Sequence, residues 1–125
     1  MAAIPPASLE AACQRLLSAA LVIGVDSGLT HFAAVSGRPT IGLYGPTDAS
    51  RTGVRGASAV DLAADFSCAP CLRRTCDYTG SASFPSGAQA VPACFAQLSA
   101  EVILNEASAL LAALGLSLST DEGMR

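Results

Sequence analysis

Two short apolar segments constrain the fold of this chain more than any other feature. They read LVIGVD (21–26) and TIGLYG (40–45), and each is a continuous apolar run, as is typical of strands buried on both faces of a sheet. The segment between them has helical spacing, with Leu29, Phe32 and Ala33 on one face. Strand, helix and strand with short connections predict a right-handed parallel crossover, and therefore an α/β domain.

Serine and glycine residues mark the ends of further helices. Ser8 is suited to cap a helix that begins directly after it and has Cys13 on its apolar face, where we expect a core residue. Ser99 is suited to cap a second helix in the same way. Gly37 and Gly115 fit the left-handed positions at which helices end.

The remainder of the chain gives weaker structural signals. A third strand is predicted over 59–62, an irregular loop rich in Cys, Pro, Ser and Gly over 66–98, and a flexible tail over 116–125. The last helix is expected to bury an apolar stripe made of Val102, Ile103, Ala107, Leu110, Leu111 and Leu114. Two or three parallel strands amount to a partial Rossmann-like sheet, and we expect one domain over 1–115.

Composition limits the ligands and partners that this chain can take. Seven basic residues stand against ten acidic ones, and the resulting net charge of −3 gives no electrostatic footprint for nucleic acid. Every basic residue is an arginine, so a bound phosphate would be met by backbone N–H groups, hydroxyls, the one histidine or an arginine. The sequence shows neither a signal peptide nor an apolar run that could span a bilayer, and a cytoplasmic location is expected.

The densest group of polar residues is DSGLTH (26–31), directly after the first apolar segment, and three interpretations of it are open. A nucleophile elbow would use Asp26, but it needs a histidine far downstream, and His31 lies in the helix that follows. An anion-binding site would use the free N–H groups of the first helical turn, with side-chain donors from Thr30 and His31. A purely structural role would make Asp26 or Ser27 an N-cap.

The longer segment GVDSGLTHFAAVSGRPTIGLYGPTD (24–48) closely resembles the donor-site segment of glycosyltransferase family 9, the lipopolysaccharide heptosyltransferases and their relatives. The family pattern is approximately D-(S/T)-G-x-x-H-x-A-A-x-x-x-x-P-x-x-x-(L/I)-(F/Y)-G-P-(T/S). The matching positions are Asp26, Ser27, Gly28, His31, Ala33, Ala34, Pro39, Leu43, Tyr44, Gly45, Pro46 and Thr47. The resemblance extends over about residues 8–114.

This resemblance implies the C-terminal portion of a GT-B fold, in which two Rossmann-like domains enclose the active site. It also implies inverting, metal-independent transfer of heptose from ADP-heptose to the inner core of lipopolysaccharide, with no cofactor. The residues that would hold the donor diphosphate are Ser27, Gly28, Leu29, Thr30 and His31. Asp26 would face the sugar hydroxyls, since a carboxylate beside a diphosphate would repel it. Gly45, Pro46 and Thr47 would shape the same cleft or form only a turn that ends the strand.

The general base of the family belongs to an N-terminal domain, which this sequence does not contain. A lysine and an acidic ribose partner that contact the donor in the family have no counterpart here either. We therefore expect a fragment or one part of a split enzyme, inactive alone, that would reach the lipopolysaccharide acceptor through the absent domain at the inner face of the cytoplasmic membrane. A noncatalytic nucleotide-sugar-binding module and a nonfunctional remnant are the alternatives.

Five cysteines are many for such a chain, and four of them form one group in the sequence. These four are Cys68, Cys71, Cys76 and Cys94. They could ligate zinc, form disulfides or remain reduced thiols, and the wide spacing of the second pair speaks against zinc. Arg73 and Arg74 beside them could meet an anionic acceptor or form a solvated basic turn.

Overall fold

The computed structural model describes residues 3, 5 and 7–118 of the chain. Within these residues the elements are, in order, α1 (Leu9–Leu17), β1 (Val22–Val25), α2 (Gly28–Val35), β2 (Thr40–Tyr44), α3 (Ala49–Thr52), β3 (Ala59–Ala63) and α4 (Ala100–Ala113). A 3-10 helix over Ala93–Gln97 precedes α4.

The three strands form one parallel sheet in the order β1-β2-β3. Val22 of β1 pairs with Thr40 of β2, which pairs on its other side with Ala59 of β3. Helix α2 makes the crossover between β1 and β2 and packs against both strands. This arrangement confirms the predicted α/β class and the partial Rossmann-like sheet, and the third strand ends one residue later than predicted.

Strand β2 is the buried centre of the sheet, whereas β1 is an edge. Thr40, Ile41 and Tyr44 are fully buried, as the apolar run predicts. Ile23 and Val25 of β1 are 43% and 49% exposed, so the prediction that this strand is buried on both faces is wrong. The cause is that, among the described residues, β1 has a partner strand on one side only. Helix α2 covers one of its faces, which leaves alternate side chains in solvent.

Helix α2 buries Ala33 and half-buries Phe32, as predicted, but Leu29 of the predicted face is replaced in the core by Thr30 and Ala34. Thr30, Ala33 and Ala34 are its buried residues, whereas Leu29 is 40% exposed and lines a groove between α1 and α2. The spacing alone could not show this, because a threonine and two alanines carry little hydrophobic signal. Gly37 follows the helix with a φ of +88°, which confirms its left-handed position.

Helix α1 begins where the sequence predicts but is less buried. The Oγ atom of Ser8 accepts a hydrogen bond from the amide of Ala11 at 3.1 Å, which confirms the N-cap. No residue of α1 is fully buried, and Cys13 is half-buried rather than a core residue. The reason is that α1 packs mainly on α2 instead of on the sheet.

Helix α4 also has its predicted ends. Ser99 Oγ accepts a hydrogen bond from the amide of Val102 at 3.4 Å, and Gly115 follows the helix with a φ of +76°. The predicted apolar stripe is buried at Ala107 and Leu111, but its first and last members, Val102 and Leu114, are exposed. The helix therefore contacts the rest of the molecule through the middle of its length.

The segment 66–98 is irregular, as its composition predicts. Apart from the 3-10 helix, it holds one isolated antiparallel bridge between Ser83 and Gln89. Residues 119–125 of the predicted tail lie outside the described residues, so the tail stays a prediction. Within the described ranges, no helix has the length and apolarity needed to cross a membrane.

Candidate functional site

The site lies at the junction between the carboxyl end of β1 and the start of α2. The junction is tight because Gly24 has no side chain: a Cβ atom there would overlap the side chain of Thr30. Thr30 fills that space and is only 3% exposed. The absence of a side chain at position 24 thus lets the first turn of α2 lie directly against β1, at the edge of the sheet where parallel α/β proteins bind ligands.

The first turn of α2 has no side-chain cap. The amide of His31 donates to the carbonyl of Ser27 at 3.1 Å, so the amides of Gly28, Leu29 and Thr30 precede the first intrahelical hydrogen bond. Ser27 occupies the N-cap position, but its Oγ lies 3.1 Å from Thr30 Oγ1 instead of accepting from an amide. We call these three N–H groups the α2 amide cluster. They carry the positive end of the helix dipole, and nothing lies within 4 Å of the place where a Cβ of Gly28 would be.

One sequence expectation about this turn needs correction. The hydroxyl of Thr30 was expected to line the mouth of the site as a donor, but the side chain is buried and contacts Ser27 Oγ. The contribution that Thr30 can make to a ligand is therefore its backbone amide. Ser27, in contrast, is exposed and remains at the surface of the site.

The carboxylate of Asp26 is at the centre of a hydrogen-bond network. Its Oδ1 lies 2.8 Å from Nε2 of His31, and its Oδ2 accepts from Thr52 Oγ1 at 2.7 Å. Burial raises the pKa of Asp26, but hydrogen bonds from Thr52, His31 and Thr47 outweigh burial, and the pKa lies below its ordinary value. The network therefore keeps the carboxylate ionised and joins the ends of β1 and β2 to α2 and α3.

This network bears on two interpretations of Asp26. A nucleophile elbow presents its nucleophile to the substrate, whereas the Asp26 side chain is 17% exposed and both its oxygens have partners. The same engagement limits what Asp26 can offer to sugar hydroxyls. His31 is more accessible, with 35% of its side chain exposed, and it adjoins the α2 amide cluster.

The three residues that follow β2, Gly45, Pro46 and Thr47, lie in two different environments. Thr47 reaches Asp26 and so belongs to the network. Gly45 is buried beneath Cys94, whose Sγ would lie 2.6 Å from a Cβ at position 45. Pro46 accepts a hydrogen bond from the amide of Leu72 at 2.7 Å. The cleft predicted to be shaped by all three residues is thus approached most directly by Thr47, while the other two support the cysteine-rich segment.

A groove of about 460 Å³ runs between α1 and α2 and begins at the α2 amide cluster. It is lined by Leu9, Cys13, Ser27, Gly28, Leu29 and Phe32. Its volume lies in the range of small-molecule sites. A ligand held at the amides of α2 would therefore have an apolar surface beside it.

The four clustered cysteines meet around a second cavity, of about 290 Å³. All are free thiols, and the described residues contain no group of three or more His, Cys, Asp or Glu side chains that could hold a metal ion. Burial and the neighbouring thiols raise the pKa of Cys94. Arg73, which adjoins this cavity, forms an exposed pair with Asp77 at 2.9 Å, as expected for a solvated turn. The zinc interpretation stays a prediction.

Thr52 is the residue of this network that the sequence did not indicate. It lies 26 positions from Asp26 and belongs to α3, a helix of four residues. The sequence feature that could have indicated this region is Asp48. Its side chain caps α3 by accepting a hydrogen bond from the amide of Ser50 at 2.9 Å. An Asp before a short polar segment predicts a turn, but it does not predict which residue the turn presents to the site.

Comparison with known proteins identifies the family. The model of glycosyltransferase family 9 (heptosyltransferase) matches residues 2–82, which contain all three strands and the α2 amide cluster. The chain belongs to glycosyltransferase family 9. The parallel sheet of this family 9 chain is consistent with part of a Rossmann-like domain of the GT-B fold.

Curated relatives support the same assignment. The family 9 chain is 36% identical over 115 residues to lipopolysaccharide heptosyltransferase 1 of Pseudomonas aeruginosa, and this match covers 90% of the chain but 32% of the relative. Proteins of the same name from Salmonella typhimurium and Escherichia coli K12 are 49% and 47% identical over 45 residues, which are 36% of this chain and 14% of each relative. The chain thus spans about a third or less of these relatives. No solved structure matches it significantly.

Proposed function

We propose that this family 9 chain binds the diphosphate of a nucleotide-sugar at the α2 amide cluster, with ADP-heptose as the expected donor. The observation that carries the proposal is the uncapped start of α2. Among the α-helices of the described residues, α1, α3 and α4 each have a side chain that accepts a hydrogen bond from an N-terminal amide. In α2 the same groups are left available to an anion.

The composition of the chain favours this use of backbone groups. The sequence contains no lysine, and the amides of Gly28, Leu29 and Thr30 supply uncharged donors at the positive end of a helix. Hydrogen bonds to a charged group contribute about 1.5–3 kcal/mol each. Three amides would reach the roughly 8 kcal/mol of micromolar binding only at the upper end of that range, so we infer that Ser27 Oγ and His31 add to them.

The reaction that this site would serve is heptose transfer to the inner core of lipopolysaccharide, in line with the names of the relatives. Inverting transfer requires a base that activates the acceptor hydroxyl. Asp26 directly precedes the N-cap position of α2, and its oxygens already accept from His31 and Thr52. We infer that the base comes from a separate domain at the membrane face that carries the acceptor. The chain alone would bind donor without transferring it.

The test removes one amide and keeps the helix. Gly28→Pro deletes the N–H at the first helical position, where proline is well tolerated and where open space surrounds the Cβ. Gly28→Ala is the matched control that keeps the amide, and Ala100→Pro makes the same change in the capped helix α4. Calorimetric titration with ADP, ADP-heptose and inorganic pyrophosphate measures the affinity of each variant.

We expect Gly28→Pro to lower the affinity for all three ligands about tenfold or more. Gly28→Ala and Ala100→Pro should have affinities close to those of the parent chain. Equal affinities of Gly28→Pro and the parent chain would contradict the proposed site. Heptose release or transfer by the chain alone would contradict its predicted inactivity. If Gly28→Pro loses affinity for pyrophosphate as well as for ADP, the amides hold the diphosphate and not the adenine ring.

A further inference from the structure

We propose that Thr52 is a positioning residue that fixes the carboxylate of Asp26 and, through it, the imidazole ring of His31 beside the α2 amide cluster. The proposal rests on the donor site proposed above, because it assigns His31 a defined orientation toward the bound anion. Thr52 does not belong to the first turn of α2, so its influence on a ligand would pass through Asp26.

The first step is the contact between α3 and Asp26. Thr52 Oγ1 lies 2.7 Å from Asp26 Oδ2 and 3.3 Å from the carbonyl oxygen of Asp48. A hydroxyl has one proton to donate, and the shorter contact is to the charged acceptor, which forms the stronger bond. The hydroxyl of Thr52 is therefore directed to the network rather than to its own helix.

The second step is the support that holds Thr52 in place. The hydroxyl of Tyr44, a fully buried residue, donates to the carbonyl of Thr52 at 2.9 Å. Burial, with added effects from the charges of Asp61 and Asp26, raises the pKa of Tyr44 to about 12, so this donor keeps its proton at neutral pH. Gly42 leaves room for the ring, since a Cβ there would lie 2.8 Å from Tyr44 Cε1. The backbone of Thr52 is thus anchored from the core.

The third step is the choice of ring nitrogen in His31. An ionised carboxylate can only accept, so the contact of Asp26 Oδ1 with Nε2 at 2.8 Å requires the proton on Nε2. Nδ1 is then the ring nitrogen left for a ligand: it accepts a hydrogen bond in the neutral ring, and it donates to an anion only when the ring carries a second proton. Because Thr52 engages Oδ2, it prevents the carboxylate from turning and keeps Oδ1 on the histidine. Thr47 also lowers the pKa of this carboxyl.

The experiment compares three variants of the full chain. Thr52→Val removes the hydroxyl and keeps the shape, and Thr52→Ser restores a hydroxyl. Ser50→Ala is the matched control on α3: the Ser50 hydroxyl donates to Asp48 at 2.7 Å, and the variant keeps the amide that Asp48 caps. The two readouts are the ¹⁵N chemical shifts of His31 in its neutral form, which report the tautomer, and the affinity for ADP.

We expect the parent chain to show the proton on Nε2 and Thr52→Val to show mixed tautomers with about fivefold weaker ADP binding. Thr52→Ser should restore both properties, and Ser50→Ala should change neither. An unchanged tautomer in Thr52→Val, or an equal effect of Ser50→Ala, would overturn the positioning role. Failure of the parent chain to bind ADP would overturn the donor site, while the tautomer would still decide whether Thr52 orients His31.

Discussion

The starts of α2 and α4 have the same residue at the same position and use it differently. A serine with extended backbone precedes each helix, but Ser99 accepts from an amide whereas Ser27 contacts the hydroxyl of Thr30. The third helical residue makes the difference: it is a threonine in α2 and Val102 in α4, which has no hydroxyl to compete. A serine before a helix is therefore not sufficient evidence of a cap, because a hydroxyl three residues later can divert it.

The starts of α2 and α4 also differ in the acidic residues of their first turns. Glu101 lies in the first turn of α4, as Glu10 lies in that of α1, and both carboxylates stabilise the positive end of their own helix. The first turn of α2 has no acidic residue. An anionic ligand would meet a first-turn carboxylate at α1 and α4, whereas the first turn of α2 presents open amides and the nearby Asp26 carboxylate is held by His31 and Thr52. Substitutions on one side of this comparison at a time should therefore affect stability and ligand binding separately.

The largest effect is expected for Gly24→Ala. The added Cβ would overlap Thr30, so the start of α2 must move away from β1 at a cost of about 1–3 kcal/mol in the free energy of unfolding. Chemical denaturation measures this cost, and ADP titration should show weaker binding. Gly28→Ala, which adds the same atom in open space, is the control. A stability of Gly24→Ala equal to that of the control would show that the tight junction is not required.

The next largest effect distinguishes the two serines directly. Ser99→Ala removes a cap and should lower the free energy of unfolding by about 1 kcal/mol. Ser27→Ala removes no cap and should change stability by less than about 0.5 kcal/mol, while weakening ADP binding. Parallel thermal and urea unfolding of both variants measures the difference. Equal losses would mean that Ser27 caps α2 in solution after all.

Adding a carboxylate to the first turn of α2, or removing one from α4, should have different effects on stability and on ligand binding. Leu29→Glu gives α2 the acidic residue that α4 has at the same position, and it should raise stability by about 0.3–1 kcal/mol. The same carboxylate should abolish diphosphate binding by repulsion. Glu101→Leu, the reverse change in α4, should cost a similar amount of stability and leave ADP affinity unchanged. If Leu29→Glu still binds ADP tightly, the diphosphate is not bound at the α2 amide cluster.

The smallest effect is a pH dependence that belongs to the α2 start. Burial raises the pKa of Asp26, but the hydrogen bonds of Thr52 and His31 lower it more, so the folded value lies below the ordinary 3.8. The stability that Asp26 contributes is therefore present above about pH 4 and is lost as the pH falls through the lowered value. Asp26→Asn should be less stable than the parent chain at neutral pH and should converge with it in acid. Unfolding free energies measured between about pH 2 and pH 7 test this. A difference between Asp26→Asn and the parent chain that stays constant with pH would contradict the role of Asp26.

The sequence predicted the elements better than their burial. The β1–α2–β2 unit, the caps at Ser8 and Ser99, and the left-handed Gly37 and Gly115 all follow from local rules, and the structure confirms them. The exposure of β1 could not be read from its apolar run, because burial depends on which elements cover a strand and not on the strand itself.

Prediction of the site was limited in the same way. The open first turn at Gly28 was accessible from the motif, since a helix start after a parallel strand has free amides wherever no side chain caps them. The burial of Thr30 depends on the missing side chain of Gly24, and the contact of Thr52 with Asp26 depends on a chain reversal anchored by Tyr44. These are tertiary relations between residues 6 to 26 positions apart, which no local pattern encodes.

The outer edge of β1 has a consequence for the behaviour of the chain in solution. In the part of the chain that the structure describes, this edge has no partner strand, and Ile23 and Val25 project from the bare face beside it. An open strand edge with apolar neighbours is a template for another strand. Concentrated samples should therefore self-associate reversibly while keeping their secondary structure, and Ile23→Lys should shift this association to higher concentration. We therefore expect β1, the shortest strand of the sheet, to limit the concentration at which the chain stays monomeric.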